Sequence, residues 1–130
     1  MKLHLEQLAD INAITGYGAG YVQVNQTRHE GSLIVLPQQL IQNWRPQSFA
    51  DLQAEDFAEL ARLPVEIVLL GTGDTLRFPH PRLTRVLMEK RIGLEAMGTA
   101  AACRTYNILM GEGRKVTLAL VINPDEAKSA

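Results

Sequence analysis

The chain has 130 residues, 46% hydrophobic and 21% charged, the balance of a single globular domain. Thirteen Lys and Arg stand against 14 Asp and Glu, a formal net charge of −1, which argues against general nucleic-acid binding through a cationic surface. The single cysteine, Cys103, excludes an intrachain disulfide, and no apolar run approaches the ~20 residues that a helix needs to cross a bilayer.

The opening MKLHLEQLADINAI carries acidic and polar residues every few positions and lacks the apolar core of a signal peptide. A cytoplasmic protein with no direct membrane insertion is expected. Gly16 to Tyr21, GYGAGY, is read as a turn-rich stretch. Tyr21–Asn25 alternates Val22 and Val24 with polar residues, as a half-buried strand does. Asn25-Gln26 then turns the chain into a second strand, Thr27–Leu36, and the two form a hairpin. Leu40–Trp44 is read as a third short strand.

Ser48–Leu63 is helical in pattern. Ala54, Phe57, Ala58 and Ala61 share one face, Asp51, Glu55 and Asp56 lie where the positive end of the dipole favours them, and Pro64 stops it. Val65–Leu70 is a continuous β-branched and Leu run, the mark of a strand covered on both faces. Pro81–Ile92 predicts a second helix with Leu83, Val86 and Leu87 inward and Gly93 as its C-cap. Leu94–Met97 is a short strand. Thr99 is read as the N-cap of a third helix, Ala100–Met110, whose alanines permit close approach to a sheet. Val116–Ile122 is the most apolar stretch and reads as a central strand. Residues 1–123 thus form one domain and residues 124–130 a polar tail. A leading hairpin followed by alternating helices and strands predicts an α/β fold, three-layered around a central mixed sheet.

Glycine motifs do not imply a cofactor. Gly16 to Gly20 precedes a strand, whereas a dinucleotide fingerprint follows one and opens a helix. Gly71-Thr72-Gly73 does follow a strand, but Leu76 stands where the third glycine belongs. Gly111 to Lys115 lacks the spacing of a phosphate-binding loop. No metal is expected, because His4, His29 and His80 are far apart and one cysteine cannot begin a zinc site. Cys103 lies early in the third helix beside Arg104, with His80 of the Gly71–Pro81 loop as a candidate base, but a cysteine in an alanine-rich helix is more often a small buried hydrophobe.

The best site argument is architectural. Ligands in α/β sheets sit beyond the carboxyl ends of parallel strands. Two predicted strands end at Gly71-Thr72-Gly73 and Met97-Gly98-Thr99, and the second feeds a helix N-terminus suited to an anion. Arg104 and Asn107 share a face of that helix. Gly71, Thr72, Gly73, Thr99, Cys103, Arg104 and Asn107 therefore form a candidate crevice for a small anion or small molecule. The plainer account is that these residues make caps and turns. The cations are spread along the chain, so an anionic partner is expected to be single and small rather than a polymer.

GYGAGYVQVN (16–25), SLIVLP (32–37), DLQAEDFAEL (51–60), IVLLGTG (67–73) and GLEAMGTAAACRTYNILMGEGRKVTLALV (93–121) occur in that order. Together they resemble a family of small prokaryotic domains of unknown function. Its mitochondrial relatives include an assembly factor of respiratory complex I, and a vertebrate branch is linked to adipogenesis. The resemblance covers roughly residues 12–122 and is most specific from Glu95 to Lys115. It implies a three-layer α/β domain with a central mixed sheet and no established catalytic residues. Gln53 stands where the family commonly has a Thr or Ser cap. Gly98 stands where Asp is common, which removes an acid that a general-base reading would use. The favoured reading is a non-enzymatic interaction protein, resembling assembly factors, that holds a protein partner, with Tyr17, Trp44 and Phe49 as candidate aromatic anchors. The alternative is a small-molecule or anion-binding protein or enzyme using the crevice.

Overall fold

A five-stranded mixed sheet organises the molecule. The structure is a computed structural model and describes residues 11–129. The expectations placed on the N-terminal segment, including His4, lie outside the described residues. In chain order the strands are β1 (Ile14–Gly18), β2 (Tyr21–Val24), β3 (Thr27–Glu30), β4 (Leu33–Leu36), β5 (Gln39–Gln42), β6 (Ile67–Gly71), β7 (Gly93–Met97) and β8 (Val116–Leu120). The helices are α1 (Ala54–Ala61), α2 (Pro81–Glu89), α3 (Thr99–Gly111) and α4 (Asp125–Ser129), with a 3-10 turn at Phe49–Asp51.

The main sheet has the order β5-β4-β8-β6-β7. β6 runs parallel to both β7 and β8, while β4 is antiparallel to β8 and β5. The crossover from β6 to β7 moves one way along the sheet and that from β7 to β8 moves back past β6. Right-handed crossovers in opposite directions place their helices on opposite faces. The side chains obey this. Val68, Leu70, Ile34, Leu36, Ala119 and Val121 point into one cluster with Phe57, Leu60 and Leu87 of α1 and α2. The alternate residues Leu69, Leu33, Val35, Leu118 and Leu120 point into the other, against Ala102, Cys103 and Tyr106 of α3. Both faces are covered, which is why β6 and β8 read as unbroken apolar runs.

The first three strands form a separate antiparallel sheet, β1-β2-β3. Its Ile14, Val22 and Val24 close the α3 side of the core. The expected strand Thr27–Leu36 is broken at Gly31, whose φ of 103° lets the chain leave the small sheet and enter the main one. Ser32 fixes that exit: its Oγ accepts from the Ile122 N–H at 2.8 Å and donates to the Pro46 carbonyl.

Several boundaries differ from expectation. Gly16, Tyr17 and Gly18 are strand, and the turn is confined to Ala19 and Gly20. Their outer face meets solvent, so no apolar alternation marks β1 in the sequence. The left-handed residue ending α2 is Arg91 (φ 59°), with the Ile92 N–H reaching the Leu87 carbonyl at 2.9 Å, while Gly93 opens β7. Gly98, not Thr99, is the N-cap of α3. In the expected polar tail, residues 125–129 form α4.

Candidate functional site

Gly71 pairs with Met97 on one side and Leu120 on the other, so the carboxyl ends of β6, β7 and β8 meet at one level. The chain beyond them builds a polar crevice of about 330 Å³, whose floor and walls include Thr72, Gly73, Asp74, Thr99, Val121 and Asn123. A second depression of about 480 Å³ shares Gly18, Gly73, Asp74 and Thr99 with it and extends along α3 to Arg104. The sequence rule about strand ends therefore locates a real concavity.

Its polar groups are heavily committed to holding the loop. The Thr99 N–H donates to the Gly73 carbonyl at 2.8 Å, and the Gly73 N–H donates back to Thr99 Oγ1 at 3.2 Å. This reciprocal pair straps the 72–74 loop to the start of α3 and occupies the amide that an anion would use first. The Thr72 hydroxyl donates to the Thr75 carbonyl at 2.7 Å and accepts from the Arg77 N–H at 3.2 Å. Gly71 is buried between layers, where a Cβ would collide with Leu120 Cδ2 and touch Ala102 Cβ.

The other candidates separate by role. Asn107 accepts from the Ile14 N–H at 2.9 Å and donates to the Ile14 carbonyl at 2.8 Å, clamping β1 to α3. Cys103 is buried in the core. Burial pushes its thiol up to about 12, and the nearby Arg104 charge only partly offsets this, so it is a neutral thiol at physiological pH. His80 caps α2, its Nδ1 accepting from the Arg82 N–H at 3.1 Å, and α2 packs on the sheet face opposite Cys103. The two do not form a nucleophile–base pair. Arg104 reaches solvent and its Nη1 donates to the Tyr17 hydroxyl at 3.2 Å across the second depression. Of the seven crevice residues, Thr72, Gly73, Thr99 and Arg104 line the opening; Gly71 and Cys103 serve packing, and Asn107 holds β1 by hydrogen bonds. Among the described residues, no group of three or more His, Cys, Asp or Glu converges to hold a metal ion.

Of the aromatic anchors, Tyr17 is exposed at the rim, Phe49 is half-buried between the crevice and a neighbouring groove, and Trp44 is in the core beside α1. Trp44 is thus unavailable to a partner. Sequence reasoning missed Arg77, whose guanidinium lies 5.8 Å from the Phe49 ring centre, and the exposed Leu76 and Phe78 beside it. Their signal was present as apolar residues in a segment with no helical or strand period.

A profile of the family described as "Protein of unknown function (DUF498/DUF598)" matches residues 14–121. The chain belongs to this family. DUF498 membership agrees with the resemblance drawn from the motifs. The chain is 34% identical over 113 residues to NADH dehydrogenase (ubiquinone) 1 alpha subcomplex assembly factor 3 of Bos taurus, covering 85% of this chain and 61% of the relative. It thus spans about three-fifths of the length of that assembly factor. A crystal structure of a Bordetella parapertussis protein superposes with a TM-score of 0.81 at 40% identity, over 86% of this chain and 96% of that one. The NMR structure of a Bordetella pertussis Mth938-like domain gives 0.75 at 34% identity, over 91% and 90%. The mixed sheet flanked by helices is therefore a fold this chain shares with these solved structures. No helix among the described residues is long and apolar enough to cross a membrane.

Proposed function

We propose that this domain is a non-enzymatic interaction module that binds a protein partner in the manner of an assembly factor. The observation that carries the reading is the identity to a complex I assembly factor over most of this chain. The chemistry of the crevice supports it. The catalytic alternative would set Cys103 or Asn107 near the reacting group, and these two are engaged in the core and in β1 docking. A cytoplasmic location belongs to the same proposal.

Affinity capture with the tagged chain tests it. A specific partner recovered in stoichiometric amount, and lost on competition with untagged protein, is the expected result. Repeated capture without a partner, together with a rise in melting temperature on adding phosphate, sulfate or nucleotides, would transfer support to the crevice. In that case Arg104→Ala should abolish the ligand-induced rise while leaving the ligand-free melting temperature nearly unchanged.

A further inference from the structure

Segment 75–92 concentrates charge that looked dispersed along the chain. Arg77, Arg82, Arg85, Lys90 and Arg91 are five of the 13 cations, and Glu89 is the single acid in the same stretch. Leu83, Val86 and Leu87 turn α2 onto the sheet, so Arg82 and Arg85, three residues apart, share its exposed face. None of the five lies in an ion pair among the described residues. The acids of the neighbouring segment are used elsewhere: Arg45 holds Asp51 and Asp56, and Arg62 holds Glu55. Glu59, the remaining α1 acid, pairs with none of the five cations.

Beside this cationic face lies an apolar groove of about 640 Å³, built from Phe49, Leu52, Phe78, Pro79, Pro81 and Leu83. Arg82 stands on its wall. Phe78, 74% exposed, forms its lip, and Leu76 is 48% exposed two residues before. Large apolar side chains in such positions mark contact surfaces when they lie together. The prolines hold the lip in a preset path, which lowers the ordering cost of binding.

We propose that the Phe78 groove and the arginine face of α2 together seat an acidic polypeptide segment carrying one apolar anchor side chain. This deepens the interaction-module reading and rests on it. The unpaired guanidinium groups favour carboxylates, to which arginine binds through paired hydrogen bonds. The concave apolar floor takes a single side chain, as helix- and loop-binding grooves do. A nucleic acid fits less well: α2 offers a cationic ridge of only roughly 13 Å, and the chain as a whole is net negative. A membrane surface would meet the protruding Phe78 and Leu76 but leave the groove floor of Phe49, Leu52 and Leu83, which is recessed, without a partner.

The probe is a fluorescein-labelled peptide of Glu, Asp and Ser with one central Trp, titrated by anisotropy at low salt. Its comparisons are the same peptide with Gln and Asn for the acids, a single-stranded DNA 20-mer, and phosphatidylglycerol vesicles. The acidic peptide should bind, weaken as salt rises, and lose about tenfold or more in affinity with Phe78→Ser and with Arg82→Glu/Arg85→Glu, about 1.4 kcal/mol or more. All three positions are exposed, so melting temperatures should stay near the unsubstituted value. Failure of the acidic peptide to bind, equal binding by the amide peptide or by either variant, or tighter binding by DNA or vesicles overturns the proposal. Affinity capture with the same variants separates the two ideas. A partner retained by both variants leaves the interaction module standing without this surface; no partner on any form removes both.

Discussion

Asn107 spends its whole side-chain amide on the backbone of β1, accepting from the Ile14 N–H and donating to its carbonyl. An Asn in mid-helix facing a strand edge completes that strand's pairing as another backbone would. Asn107→Ala should leave both Ile14 groups without that partner and cost about 1–3 kcal/mol in urea unfolding. An unchanged midpoint would return Asn107 to the list of ligand groups. Cys103 makes a different kind of test. Its thiol holds a proton up to about 12 in the folded state, whereas the unfolded thiol titrates near 9.0. Below pH 9 both states are protonated and the contribution is complete. Between 9 and 12 the unfolded chain alone releases the proton, so stability falls as pH rises. Buried Tyr106, also raised by burial, acts with the same sign. Cys103→Ala should flatten the decline of unfolding free energy across this alkaline window. In parallel, a thiol reagent at pH 8 should label Cys103 only after denaturation; fast stoichiometric labelling of the folded protein would restore a reactive cysteine.

Helix α1 shows how an element can be stabilised at a position where its sequence looks weak. Gln53 is a poor N-cap by type, yet the Asp56 carboxylate reaches back to the Gln53 N–H at 2.8 Å. The same carboxylate receives Arg45 Nη2 at 2.7 Å and Nε at 3.1 Å, while Arg45 also contacts Asp51 and its carbonyl. Asp56 is buried, so these bonds are its replacement for water. Asp56→Ala should destabilise the domain by about 2–3 kcal/mol, read from chemical denaturation, with α1 amides losing protection first; Asp56→Asn should recover part of this through the retained cap. The elements legible in the sequence are those with a dominant period or an unbroken apolar run, α2, β6 and β8, together with α3, read from its alanine run and the turn residues that flank it. β1 was not legible, because Thr15, Tyr17 and Gly18 face solvent and Gly16 carries no side chain to pattern. The break at Gly31 was hidden because residues on both sides are compatible with strand, and only the second sheet explains it. The crevice was legible as a place, from the rule on strand ends. That Asn107 clamps β1 was not, since the strand it holds could not be seen. The arginine face of α2 was the unused complement of an inner stripe already assigned to Leu83, Val86 and Leu87.

At the scale of the molecule, the two sheets are unequal partners. β8 lies between β4 and β6, and all five of its residues are buried. β6 is hydrogen-bonded on both sides as well. The small sheet instead touches the rest of the core through Ile14, Val22 and Val24, and β3 is its largely exposed edge. Protection from exchange follows the opening free energy of the unit that contains each amide. Amides of β6 and β8 should therefore exchange only through global unfolding, whereas β2 and β3 should open together at lower cost. Asn107→Ala adds a discriminating perturbation, because it weakens the seam between α3 and β1 without touching the main sheet. If the small sheet is its own cooperative unit, that substitution should speed exchange in β2 and β3 more than in β8. Equal acceleration in β2, β3 and β8 would mean that the chain opens as one unit. The groove at Phe78 lies with α1 and α2 on the opposite face of the main sheet. Opening of β2 and β3 should consequently leave the affinity for an acidic peptide unchanged, and a parallel loss of affinity in Asn107→Ala would place the two faces in a single coupled unit.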